Sequence, residues 1–241
     1  MQDFINYIPI GTTLFSVFFF IVLFRHWRRK PGTTYLLWWT VGVFCYGIGT
    51  TVESLHTLIG WSPALFKAWY ISGAFLGGVP LAQGTVHLLM GKAKANTMSL
   101  VLLVILLISS TLVILSPLDT AKLTGKLDGV VLEWTFIRWI TPFINIYAVI
   151  FLVGGAFYSA FKYKGDHAFK NRFWGNVWIA VGGILPGFGG SFAKMGLVEV
   201  LYVTELLGIL LIFAGYQVIR GDQSLSVHKN QTTDQVAVPA V

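Results

Sequence analysis

Seven long apolar stretches, separated by short polar turns, form the main pattern of hydrophobic and polar positions along this chain. A transmembrane helix needs about 20 consecutive apolar residues, and each stretch approaches or exceeds that length. They cover residues 5–24, 35–59, 64–90, 98–115, 132–161, 173–192 and 198–219, numbered here as segments one to seven. The pattern therefore predicts an all-α membrane protein built as a bundle of seven transmembrane helices.

The same pattern divides the chain into a transmembrane domain, residues 1–219, and a polar tail, residues 220–241. The tail contains no aromatic side chain other than histidine. Such a composition cannot bury enough apolar surface to offset the entropy lost when the chain is ordered. We therefore predict a disordered tail. The longest turn, residues 116–131, is predicted to be an external loop that is too short to form a domain.

Two segments carry residues that interrupt a regular helix. Segment three contains the sequence Gly-Gly-Val-Pro at 77–80, and segment six contains a glycine-rich run with a proline inside it at 182–190. Proline removes a backbone hydrogen bond, and glycine has a low helix propensity. We predict that segments three and six are kinked or broken. Irregular backbone at membrane depth is expected to be buried in protein or to line a watery cavity.

The distribution of basic residues predicts the orientation of the bundle. Most of the 17 Lys and Arg residues follow segments one, three, five and seven. Cytoplasmic turns carry an excess of Lys and Arg, so we predict a multi-pass protein of the cell membrane with an outside N-terminus and a cytoplasmic C-terminus. The net charge of +7 follows from this distribution and suits contact with anionic lipid head groups. No nucleic-acid partner is expected.

Charged side chains inside the predicted helices are the candidate functional residues. An ionisable residue within the hydrocarbon is costly and usually faces the protein interior or a water-filled cavity. At 1.5 Å per residue, Glu53 lies about 10 Å inside the outer end of segment two. Arg138 and Glu205 lie at a similar depth in segments five and seven. We therefore predict a polar pocket that opens outward, with Arg138 between the two carboxylates.

Further polar side chains are expected on the wall of this pocket, and His56 shares a helical face with Glu53 because residues three apart are neighbours on a helix. The predicted ligand-binding residues are Glu53, His56, Arg138, Asn145, Tyr202 and Glu205. The alternative is a purely structural role, in which Arg138 ties segments two, five and seven together as a buried ion pair.

No cofactor and no catalytic residue are predicted, but one metal site is an alternative. A Glu-x-x-His pair projects two ligands from one helical face, so His56, Glu53 and Glu205 could hold a single zinc ion. Arg138 at the same depth would oppose the charge of a cation. The chain shows no motif that pairs a nucleophile with a base, and we expect no enzymatic activity.

The sequence favours an integral membrane protein that binds a small polar ligand in an outward-facing pocket. Because no output domain is recognisable, we expect it to act as a sensor or as a subunit of a membrane complex. Its expected partners are the lipid bilayer and either another protein or a second copy of itself. A small secondary transporter is the first alternative, since segments three and six are interrupted. A metal-dependent membrane-embedded hydrolase is the second.

Overall fold

The computed structural model of the protein describes residues 2–123, 127–165, 169–193 and 195–222. The α-helices in these residues are α1 (Gln2–Ile5), α2 (Ile8–Arg29), α3 (Thr34–Ile59), α4 (Pro63–Trp69), α5 (Val79–Leu89), α6 (Lys92–Leu115), α7 (Ile137–Ala148), α8 (Gly155–Lys162), α9 (Lys170–Ala193) and α10 (Val198–Arg220). A first π-helical segment, Tyr70–Phe75, follows α4, and a second, Val149–Gly154, joins α7 to α8. The predicted all-helical class is confirmed for the described residues.

Six helices in the described part of the chain are long and apolar enough to cross a membrane: α2, α3, α6, the continuous helix Ile137–Lys162 that contains α7 and α8, α9 and α10. This number supports a membrane-embedded protein. Segment three is not among the six, because the first π-helical segment and a turn divide it into α4 and α5. The predicted count of seven crossings is therefore not confirmed by helix length alone.

The two predicted interruptions have different outcomes. Segment three is broken as predicted, since α5 begins only at Val79, beyond the glycine pair. In segment six the predicted break is not found, because α9 is one α-helix that continues through Pro186, and a kink at this proline stays a prediction. The physical reason is that the glycines of segment six serve as a packing surface. The ring of Pro186 lies against Gly208 of α10, where an added Cβ atom would be 3.0 Å from its Cδ.

Glycines spaced seven residues apart bring α9 and α10 together. These two helices pack more closely than any other two described helices. A Cβ atom added to Gly182 would lie 2.6 Å from the carbonyl oxygen of Gly208, and one added to Gly215 would lie 2.4 Å from that of Gly175. Seven residues are two helical turns, so each glycine set lies on one face. Small residues let the two backbones touch without side chains between them.

The helices form a ring that encloses an apolar core. α10 packs against α9 and α2, α2 packs against α3, and α3 packs against α5. The second π-helical segment contacts both α5 and α9 and so closes the ring, and α6 packs on its outside. Phe19, Val43 and Ile209, from α2, α3 and α10, are fully buried in the centre. In this ring only α2 stands between α3 and α10, so side chains of these two helices can meet inside it.

The turn after α6 packs onto the bundle, although it had the composition of an ordinary external loop. Val131 and Leu132 are buried in a second apolar cluster with Phe66 and Tyr70. Gly129 lies against the ring of Tyr70, because an added Cβ atom would be 2.9 Å from Cε2 of that ring. The described part of this turn therefore covers one end of α4.

The predicted disordered tail cannot be compared with the structure over most of its length. α10 ends at Arg220, in agreement with the predicted end of segment seven. Residues from 223 onward lie outside the described residues. The disorder of residues 220–241 therefore stays a prediction.

Candidate functional site

Glu53 of α3 and Glu205 of α10 meet inside the ring of helices. Their carboxyl groups lie within hydrogen-bonding distance of each other, and only 3% of Glu53 is exposed. The Oε2 atom of each carboxyl is buried and accepts no hydrogen bond from a donor among the described residues. The structure therefore brings together two of the predicted site residues and leaves one oxygen of each without a partner.

Two carboxyl groups placed this close together favour a state in which one of them is protonated. Two ionised carboxylates side by side repel each other, and burial adds the cost of removing each charge from water. A proton on one group removes one charge and supplies an O–H donor for the other. Such groups titrate as a unit. We describe Glu53 and Glu205 together as the carboxyl pair.

Trp69 holds one side of the carboxyl pair. Its indole Nε1–H donates a hydrogen bond of 2.9 Å to Oε1 of Glu53. Local sequence places it there: Ser62 caps α4 by accepting a hydrogen bond of 3.2 Å from the N–H of Leu65, and Pro63 suits the first helical position. Trp69 is the last residue of α4, immediately before the first π-helical segment. π-helical segments are frequent at functional sites.

Tyr46 connects α3 to the backbone of α10 beside the pair. Its hydroxyl donates a hydrogen bond of 2.8 Å to the carbonyl oxygen of Glu205. Tyr46 precedes Glu53 by seven residues, or two helical turns, so both side chains extend from the same face of α3. This hydrogen bond therefore fixes the position of Glu205 along the bundle axis relative to Glu53.

Tyr202 lies next to the carboxyl pair, as the sequence predicted. It is 6% exposed and precedes Glu205 by three residues on α10. Both Glu53 and Glu205 are close enough to act on its phenol group electrostatically. Three of the six predicted site residues are thus together in the structure.

His56 is placed one helical turn from Glu53 at the edge of this site. It is half-buried, and its Nε2 atom is buried without a hydrogen-bond partner among the described residues. In the part of the chain that the structure covers, no three His, Cys, Asp or Glu side chains lie close enough to hold a metal ion. His56 does not join the pair in a three-ligand group, so the zinc alternative receives no support from this geometry.

Arg138 and Asn145 are not brought to the carboxyl pair, which corrects the predicted arrangement. Both residues are exposed on α7, and the electrostatic effect of Arg138 falls on Tyr70. Arg138 is not among the neighbours that act on Glu53 or Glu205. A position along a helix does not determine the direction in which the side chain points around the helix axis. A guanidinium between the two carboxylates is therefore not found.

A second buried polar cluster shows what a purely structural arrangement looks like in this protein. Gln83 is fully buried, donates a hydrogen bond of 2.7 Å to the Ser99 hydroxyl and accepts one from the Tyr147 hydroxyl. His87 Nε2 lies 2.8 Å from the same Ser99 hydroxyl. Both ends of Gln83 therefore have partners, as is usual for buried polar groups. The carboxyl pair differs from this cluster by its two unpartnered oxygens.

The sequence pattern did not predict two residues of the site, Trp69 and Tyr46. Tyr46 lies seven residues before Glu53 and therefore on the same face of α3. This spacing is the sequence signal that could have placed Tyr46 beside Glu205. No comparable signal connects Trp69 to Glu53, because the two lie on different helices.

The site can bind a proton or another small cation through the two buried oxygens, and the surrounding aromatic rings limit its access to water. This chemistry follows from the residues alone. Comparison of the chain with protein-family models, with curated proteins and with solved structures finds no match in any of the three.

Proposed function

We propose that this chain is an integral protein of the cell membrane that binds a small polar ligand of positive charge at the carboxyl pair. In this proposal it crosses the bilayer seven times, with the N-terminus outside, the C-terminus in the cytoplasm and the site in the outer half. The six apolar helices would supply six crossings. α4, the first π-helical segment and α5 would together supply the seventh, since they extend over residues 63–89, a span as long as α3.

The observation that carries this proposal is the meeting of Glu53 and Glu205 inside the helices, where each has one buried oxygen that accepts no hydrogen bond from a donor among the described residues. A proton or a cation between the two groups would partner both oxygens. A buried polar atom without a hydrogen bond costs about 1–3 kcal/mol. Ionisable groups kept at such a cost are characteristic of functional sites. Because Arg138 is distant, the pair favours a cation over an anion. A protonated amine could donate one charge-assisted hydrogen bond to each Oε2 atom, and the rings of Trp69 and Tyr202 could add cation–π attraction.

The exposed face of α7 supports a role as a subunit or a sensor that has a protein partner. Asn145 lies on this face about 12 Å from the start of α7, at 1.5 Å per residue, and its amide is exposed. Trp139 and Phe143 on the same helix are 74% and 72% exposed. An amide facing lipid would have no hydrogen-bond partner there, whereas a neighbouring helix could supply one.

A proton-coupled secondary transporter is the second candidate, because carboxyl pairs that share a proton can also carry one. The fully buried side chains of Phe19, Val43 and Ile209 lie between the pair and the other end of the bundle. Transport would therefore require the helices to separate across this apolar layer. A binding protein needs no such movement, and we favour it for that reason.

Small cations and protonated amines are expected to raise the thermal stability of the purified protein in detergent, and small carboxylic acids are not. A ligand present at 100 times its dissociation constant stabilises the folded state by about 2.7 kcal/mol. Glu53→Gln and Glu205→Gln should each abolish the effect. Glu133→Gln, which changes an exposed acid in the turn before α7, is the matched control. Stabilisation that persists in both pair variants would contradict the proposal.

Thiol labelling of intact cells should show that α4 and α5 together cross the membrane. With Cys45 replaced by serine, Ala64→Cys at the start of α4 is expected to react with a membrane-impermeant reagent applied outside. Ala93→Cys at the start of α6 should react only after lysis. Both positions are exposed in the structure, so burial does not bias the comparison. Equal labelling of the two variants in intact cells would leave six crossings instead of seven.

A further inference from the structure

The last turns of α2 and α10 form a second polar site at the end of the bundle opposite the carboxyl pair. A cavity of about 200 Å³ lies between them and is lined by Val22, Arg25, His26, Arg29 and Arg220. The four lining residues of α2 share one helical face, because they are three, four and seven positions apart. We name this feature the arginine cavity. It makes no use of the carboxyl pair and does not depend on the proposed function.

One hydrogen bond between the two helices borders the arginine cavity. His26 Nδ1 lies 2.6 Å from the hydroxyl of Tyr216 on α10, and Tyr216 is 7% exposed. Arg220 follows Tyr216 by four residues, or about one helical turn, and is close enough to act electrostatically on both His26 and Tyr216. This bond therefore holds the end of α10 that carries Arg220 beside the basic face of α2.

Three exposed arginines, Arg25, Arg29 and Arg220, line this cavity, and none of them takes part in the ion pairs that the structure describes. The nearest acid in sequence, Asp222, is paired with Arg172 at 3.3 Å. The C-terminal ends of α2 and α10 each contribute a partial charge of about −0.5, which offsets about one of the three positive charges. A residual charge of about +2 remains, and a phosphate monoester carries about −1.5 to −2 at pH 7.

We propose that the arginine cavity binds the phosphate group of a phosphomonoester, with Arg25, Arg29 and Arg220 as its ligands. The planar guanidinium matches phosphate oxygens through two parallel hydrogen bonds. A cavity of about 200 Å³ exceeds the roughly 30 Å³ that a single water molecule occupies in the liquid, so it has room for a phosphate group. The same chemistry could come from a lipid head group, which basic pockets between membrane helices bind, or from a dissolved phosphate.

Thermal unfolding of the full-length protein in detergent, at constant ionic strength, tests this proposal with three probes. They are inorganic phosphate, short-chain phosphatidic acid, which is a phosphomonoester, and short-chain phosphatidylglycerol, which is a phosphodiester. Phosphatidic acid is expected to stabilise the protein at lower concentration than phosphatidylglycerol. If inorganic phosphate also stabilises the protein, the natural ligand is a dissolved phosphate. If only the lipid stabilises it, the natural ligand is a lipid head group. Equal effects of the two lipids, or no effect of any probe, would overturn the proposal.

Substitution of single arginines distinguishes binding in the arginine cavity from non-specific attraction to the positive surface of the protein. Arg29→Gln and Arg220→Gln are each expected to weaken the apparent affinity for phosphatidic acid at least about tenfold, which corresponds to 1.4 kcal/mol. Arg28→Gln removes the same charge from the same helical turn but not from the cavity lining. It should change the affinity by less than about twofold, since only screened surface attraction is lost. Equal weakening in all three variants would overturn the proposal.

Arg220→Lys keeps the test informative if the glutamine variants fold poorly. Lysine retains the positive charge but lacks the planar pair of donors. Its affinity for phosphatidic acid is expected to fall between those of the wild type and Arg220→Gln. The unfolding temperature of each variant without added probe shows whether it is folded. A lysine variant with wild-type affinity would mean that charge alone accounts for the binding.

Discussion

Replacing Gly182 by isoleucine is expected to lower the free energy of unfolding by at least about 3 kcal/mol, the upper range for overpacking a buried contact. A Cβ atom at this position would lie 2.6 Å from the carbonyl oxygen of Gly208 and 2.9 Å from the backbone nitrogen of Ile212. Because the obstacles are backbone atoms, no side-chain rotation relieves them, and α9 must move away from α10. Thermal unfolding in detergent, followed by circular dichroism, measures the loss.

Gly187→Ala is the matched control for this substitution, because it lies on the same helix. A Cβ atom there meets nothing within 4 Å, and alanine is about 1 kcal/mol more favourable than glycine inside a helix. The control is therefore expected to leave the stability unchanged or to raise it slightly. A Gly182→Ile protein as stable as this control would show that α9 and α10 do not pack through their glycines.

Replacing Glu205 alone by leucine is expected to destabilise the protein by about 2–3 kcal/mol, because the buried Glu53 loses the group with which it shares a proton. The same reasoning applies to Glu53→Leu. The double variant leaves no carboxyl group in the site, and replacing a buried polar pair by apolar side chains is often neutral. We therefore expect the double variant to be more stable than the sum of the single effects predicts, by at least about 1 kcal/mol.

The double variant also separates a structural role of the carboxyl pair from a functional one. If it unfolds at the wild-type temperature but is no longer stabilised by small cations, the pair is required for binding and dispensable for folding. If the two single effects are additive in unfolding experiments, Glu53 and Glu205 do not interact, and the shared proton is excluded. Trp69→Phe is a useful companion, since it removes the indole donor to Glu53 while it keeps a smaller aromatic ring at this position.

The helical segments could be predicted from the sequence because a membrane protein must satisfy its backbone hydrogen bonds within each segment. Apolar length alone therefore locates the helices, as the predicted segment at 198–219 and the observed α10 show. The cost of a charge in hydrocarbon also led us to expect Glu53 and Glu205 at one site, and the structure brings them together without the Arg138 that was expected between them. The binding of a ligand by these residues stays a prediction.

The predictions that failed concern rotation and packing, which depend on neighbouring helices. Arg138 was expected well inside segment five, but α7 begins only at Ile137, so Arg138 lies in its first turn, where it is exposed. The glycine run of segment six was interpreted as a helix breaker, although Gly182 provides contact with α10. The spacing of seven residues between Gly175 and Gly182 was visible in the sequence and indicates one contact face. The proline at position 186 instead favoured a kink or a break.

The close approach of the α9 and α10 backbones at their glycines has a mechanical consequence. Because the ring of Pro186 and the side chain of Ile212 fit against the facing glycines, the two helices resist sliding past each other, and this helical hairpin should move as a rigid body. The Tyr46 hydroxyl and the two acids connect α3 to the hairpin. A rotation of the hairpin would therefore stretch these connections, and occupancy of the acids would favour one position of the hairpin over another.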